Sequence, residues 1–285
     1  MLGKILKYEF KATARIFVLL YAVLMVLAGI NAALVATRDV INSEIYSSVV
    51  MGLTMIAYVL VAIAVFVVTA VLIVLRFYRM LGAEGYLWLT LPATTEQHIL
   101  GKLVCGMVWS CASALIVIAS IVVVVTPFGV NDQIWHAVSN LWNLLILTGF
   151  QPTFWLVAMI IMLLLGMLYG ILMFYAAMAV GPTLVKSRLG GSVLAYVVFY
   201  VAIQVVGFIM MYVGMLPSAP ILSANMDIPM SDSGVVSWAA MSAIAPGINQ
   251  VTLAIIIISM AQCVLFAVAF YLITRYYMKR RLNLS

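Results

Sequence analysis

IYSSVVMGLTMIAYVLVAIAVFVVTAVLIVL, residues Ile45 to Leu75, runs for 31 residues without a charged side chain. A helix needs about 20 apolar residues to cross the hydrocarbon layer of a membrane, so this stretch has material to spare. Five further charge-free stretches accompany it: Ile16 to Thr37, Leu103 to Asn131, Ala137 to Val185, Leu189 to Met226 and Ser233 to Thr274. Across all 285 residues 67% of side chains are apolar and 8% charged, with a mean hydropathy of +1.25. A soluble domain is closer to half apolar and a quarter charged. The expected fold is all-α and polytopic, a membrane protein with six spans near 16–37, 47–75, 103–127, 153–181, 192–215 and 248–274.

An even number of spans puts both ends of the chain on one side. Lys4, Lys7, Lys11, Arg15, Arg76, Arg79, Lys102, Lys186, Arg188, Arg275, Lys279, Arg280 and Arg281 then fall together, with only Arg38 opposite. Thirteen against one makes that side the cytoplasm. The same scatter of basic residues beside apolar runs writes topology and leaves no nucleic-acid footprint, despite a net charge of +6. Cys105, Cys111 and Cys263 sit inside apolar runs without a CxxC or a histidine at ligand spacing, so neither a disulfide framework nor a metal site is expected.

The first fifteen residues, MLGKILKYEFKATAR, read as a basic amphipathic helix lying on the inner leaflet. Lys4, Lys7, Lys11 and Arg15 share one arc, with Leu2, Ile5, Leu6 and Phe10 opposite. Glu9 falls within the apolar arc, where a carboxylate is costly without a partner. It is expected to reach Arg76 or Arg79, which makes these three candidates for an interfacial coupling cluster. On the outer side, Ile134 to Leu145 reads as an interfacial helix anchored by Trp135 and Trp142. The segment from Pro217 to Pro246 reads as an outer loop with a short re-entrant helix near Val235 to Ile244, since four prolines interrupt it.

No expected span contains Lys, Arg, Asp or Glu, which disfavours ion-coupled pumping. The intramembrane polar residues are uncharged, and Asn31, Tyr58, Gln204 and Gln262 are the candidates for a substrate pathway. Interhelical hydrogen bonding is the other reading of the same residues. Gly166 and Gly170 form a GxxxG, read as close helix packing. His98 and His136 lie on opposite sides, and no buried acid or amine stands ready to activate a nucleophile, so the chain is not read as an enzyme. It carries no phosphate loop: Gly101-Lys102 has Glu96 where the leading glycine would stand.

Between the second and third spans the chain reads RFYRMLGAEGYLWLTLPATTEQHILGKL. Thr94 or Thr95 is placed to cap the next helix, with Gln97 at capping-box spacing from Thr94 and Glu96 in the first turn, where the helix dipole favours it. Tyr86, Leu87, Trp88, Leu89 and Leu91 form an apolar knuckle rimmed by charge, the composition of a docking surface. With Glu84, Gly85, Leu87, Leu89, Pro92, Gly101 and Lys102 at matching spacing, the loop resembles the first cytoplasmic loop of permeases of the type-2 exporter family of ABC transporters. Tyr86 and Trp88 depart from the Gly-Thr-Leu-Glu usual there, and Leu91 replaces a small residue.

The resemblance implies that residues 82–98 are a cytoplasmic coupling helix entering a groove of a separate ABC ATPase subunit. Glu84, Gly85, Tyr86, Leu87, Trp88, Leu89 and Pro92 would make the contact, flanked by Lys102. ATP and Mg would sit on that subunit, with no cofactor on this chain. Two permeases, identical or related, would pair in a bacterial cytoplasmic membrane to export an apolar or amphipathic substrate such as a peptide, lipid or drug. Two other readings stay open: a non-transport sensor or scaffold holding a soluble partner, and an ion-coupled secondary transporter.

Overall fold

The computed structural model describes residues 2–37, 49–81, 94–129, 131–147, 152–185, 187–215 and 238–282. Among them there are seven α-helices and no strand: α1 (Leu2–Ala36), α2 (Met51–Leu81), α3 (Thr95–Val125), α4 (Asn131–Leu147), α5 (Pro152–Leu184), α6 (Arg188–Met215) and α7 (Trp238–Leu282). All but α4 are long and apolar enough to cross a membrane. In the most apolar stretch of each of these six, at most 22% of residues are buried. Helices apolar all round with so little protein cover require lipid around them. This is a multi-pass membrane protein.

Helix α1 is unbroken from the basic segment through the apolar run. Its 35 residues extend roughly 52 Å at the usual rise, well beyond a hydrocarbon layer of about 30 Å. The basic segment, expected to lie on the inner leaflet as a separate amphipathic helix, instead continues into the first span, so its charged turns overhang the apolar part on the same rod. The helix ends at Thr37, whose hydroxyl donates to the Ala33 carbonyl at 2.9 Å. Helix α3 starts at the expected cap: the Thr94 side chain accepts from the Gln97 amide, with Glu96 in the first turn. It runs into a 3-10 turn, Thr126–Phe128, closed by Gly129 at φ 67°, a left-handed conformation that favours glycine.

The chain divides into two compact units, one built on the helices up to His136 and the other on Ala137 to Arg281. In the first, α1, α2 and α3 pack together around Leu24, Ala28, Tyr58, Val65, Val117 and Val124. In the second, α5 and α6 form a hairpin whose backbones touch. A Cβ at Gly181 would lie 2.3 Å from the Ser192 nitrogen, and one at Gly191 would lie 2.0 Å from the Gly181 carbonyl oxygen. Above this contact Phe174 stacks on Tyr196 with centroids 4.7 Å apart. Helix α7 meets α6 through Phe199 and Phe270, 5.3 Å apart.

Three further sequence expectations meet a different backbone or environment. A Cβ at Gly166 or Gly170 would meet nothing within 4 Å, so the GxxxG makes no close packing among the described residues. The helices come together instead near the end of α5 and the start of α6, at Gly181 and Gly191. Pro246 lies inside α7, so the break expected there does not occur. A proline removes one backbone hydrogen bond, which membrane helices tolerate where neighbouring groups satisfy the freed carbonyl. Of the expected re-entrant piece, residues 235–237 lie outside the described residues and the remainder belongs to α7. Helix α4 covers the expected interfacial segment, with Trp135, Val138, Leu141 and Trp142 exposed along one side.

Candidate functional site

Three charged residues from three helices converge where the apolar runs of the first unit end. Glu9 projects from α1, Arg76 from the last turns of α2 and Lys102 from the second turn of α3. The Lys102 ammonium donates to Glu9 Oε1 at 2.7 Å, and Arg76 Nη1 pairs with Glu9 Oε2. The same Nη1 donates to the Glu9 backbone carbonyl at 3.1 Å. Each carboxylate oxygen thus has its own cation. The Glu9 and Lys102 side chains are each 6% exposed and that of Arg76 27%. Burial removes hydration from these charges, and their mutual pairing offsets it.

The local sequence makes this meeting possible. Gly101 lets α1 come close: a Cβ there would stand 3.1 Å from Cγ2 of Ile5. The Gly101-Lys102 pair therefore has two jobs on α1, admitting Ile5 and neutralising Glu9. Glu9, expected to reach Arg76 or Arg79, contacts Arg76; Arg79 is exposed at the end of α2. Lys102, which the family resemblance assigns to the flank of the docking loop, is buried against Glu9. Of the other docking residues, Glu84, Gly85, Tyr86, Leu87, Trp88, Leu89 and Pro92 lie outside the described residues.

A ladder of polar contacts continues from the cluster along the same helix seam. Thr13 donates to the Glu9 carbonyl at 2.8 Å and accepts from Trp109 Nε1 at 2.9 Å. The Trp109 ring stacks on Phe17 at 4.2 Å. Ser113 shares hydrogen bonds with Tyr21 at 2.7 Å and with Thr69 at 2.8 Å. Tyr58 and Ser120 pair at 2.9 Å, and Asn31 donates to the carbonyls of Leu27 at 2.9 Å and Thr54 at 3.2 Å. Asn31 and Tyr58, two of the pathway candidates, are thus buried in helix-to-helix hydrogen bonds. The other two lie in the second unit: Gln204 is exposed and donates to the Tyr200 hydroxyl at 2.9 Å, while the Gln262 amide lies beside Gly207.

The sequence reading passed over Thr13, Tyr21, Trp109, Ser113 and Ser120. A signal for them exists. Glu9, Thr13, Phe17, Tyr21, Leu24, Ala28 and Asn31 recur at three- and four-residue steps, as do Lys102, Cys105, Trp109, Ser113, Val117, Ser120 and Val124. That is the spacing of a coiled-coil-like seam, with the polar residues as its specific steps. No protein-family model, curated protein or solved structure matches this chain. Fold and site define a multi-pass membrane protein whose first three helices are clamped by a buried ion cluster.

Proposed function

We propose that this chain is the permease subunit of an ATP-driven exporter of the type-2 ABC family, with the loop at 82–98 as its coupling helix. It would move an apolar or amphipathic cargo out of a bacterial cell, both termini facing the cytoplasm, while a separate ATPase subunit binds ATP and Mg. The observation that carries this reading is the segment from Glu84 to Lys102, with its apolar knuckle and its Gly-Lys ending. Support comes also from the tie between that ending and α1. Force applied to the loop is delivered to Arg76 on one side and Lys102 on the other, and both grip Glu9. The three helices would then respond as one body when the ATPase pair closes, shifting the paired permeases from inward- to outward-facing. The outer segment before α7 would act as the external gate.

The test is co-purification with a candidate ABC ATPase subunit, followed by turnover in proteoliposomes. Trp88→Ala combined with Leu89→Ala removes two apolar anchors, and anchors of this kind contribute about 2 kcal/mol each to an interface. Affinity for the ATPase is expected to fall by about three orders of magnitude, and its stimulation with it, while the permease stays folded. Intact coupling in this variant would remove the docking assignment, and binding without any effect on turnover would make the chain a scaffold.

A further inference from the structure

Beside the ion cluster lies a cavity of 310 Å³. Its charged walls are Arg76, Arg79, Lys102 and Glu9, and its remaining walls are Tyr8, Ala12 and Met80. Three cations face one carboxylate, and both oxygens of that carboxylate are already engaged by Lys102 and Arg76. Arg79 has no ion pair among the described residues. Among the described residues Arg76 bonds to Glu9 through Nη1, and a guanidinium carries further donors at Nη2 and Nε. A pocket with an excess of guanidinium groups calls for a compact, multiply oxygenated anion.

We propose that this cavity is a phosphate-binding site, filled by the phosphate of an anionic lipid headgroup or by free phosphate. Its level in the fold favours the lipid. The apolar runs stop at Leu75 and resume at Leu103, so Arg76, Arg79 and Lys102 stand at the boundary where lipid phosphates lie. Ala12 and Met80 offer apolar wall to the glycerol end of a lipid, which inorganic phosphate would leave unused. Lys4, Lys7 and Lys11, all exposed on α1, concentrate anions nearby without forming the site. A bound phosphate would neutralise the positive excess at the ends of α2 and α3 and draw them toward α1. The site does not depend on the transport assignment.

The test uses the full chain in nanodiscs of phosphatidylcholine. Phosphatidylglycerol is titrated in one arm and inorganic phosphate in the other, and bound ligand is read by native mass spectrometry and by the thermal midpoint. Arg79→Gln leaves both Glu9 pairs in place, and Lys7→Gln serves as control for diffuse attraction. The expected result is saturable binding of one phosphatidylglycerol per chain, weakened about tenfold by Arg79→Gln, the usual size of a charge-assisted hydrogen bond. Lys7→Gln should weaken it no more than about twofold, since an exposed charge is screened. Saturable binding in the inorganic arm alone, with the same dependence on Arg79, upholds the site and makes free phosphate its ligand. Absence of saturable binding in both arms, or equal weakening by the two variants, overturns the proposal.

Discussion

Helices α1, α2 and α3 are joined by side chains that reach across: Glu9 to Arg76 and Lys102, Ser113 to Tyr21 and Thr69, Tyr58 to Ser120. Helices α5 and α6 are joined where side chains are missing, at Gly181 and Gly191. Lipid tails are as apolar as leucine, so burying apolar faces against one another gives membrane helices little reason to prefer protein over lipid. What remains is polar contact or close van der Waals approach, and the two regions each rely on one of them. Polar steps fix register, because each donor needs its own acceptor. Backbone contact fixes distance, because any side chain at the crossing is too large.

The difference is sharpest at the ion cluster. Glu9→Gln leaves Lys102 buried with no full counter-charge, a change expected to destabilise the first unit by about 3–5 kcal/mol, read as a lowered thermal midpoint in detergent. Adding Lys102→Met should recover much of that loss, because the orphaned charge goes with it. If the single variant melts like the parent, the cluster is not what clamps these helices. At the hairpin, Gly191→Ala places a methyl against the Gly181 carbonyl and should cost about 1–3 kcal/mol. Gly166→Ala, facing open space, should stay within about 0.5 kcal/mol of the parent. Equal effects at the two positions would mean that the backbones do not meet where they are placed. Between these two glycine variants falls Ser113→Ala, expected to cost about 1 kcal/mol. Tyr21 keeps the Trp109 carbonyl at 3.4 Å and Thr69 keeps the Val65 carbonyl at 2.7 Å.

Much of the first unit is legible in the residues. Six apolar runs specify helices because an unpaired backbone group in lipid is too costly for any open structure. The Thr94 cap follows from a local hydrogen bond between neighbours in sequence. A carboxylate at Glu9 within an apolar arc demands a cation, and the demand is met by Arg76. That Lys102 is the second partner is not legible, since it lies 93 residues away on a helix whose rotation local sequence leaves free. Asn31 and Tyr58 show the same limit: a polar group in a span is compatible with a wet pathway or a neighbouring helix, and only the facing residue distinguishes them.

Composition and charge by themselves determined that this is a multi-pass helical membrane protein, because transfer of apolar residues into lipid and the satisfaction of backbone groups depend on each segment alone. The tertiary structure decided which charges meet, which glycines touch and that α7 continues through Pro246. Those outcomes depend on helix rotation and crossing, and these are set by pairs of surfaces that no single segment contains.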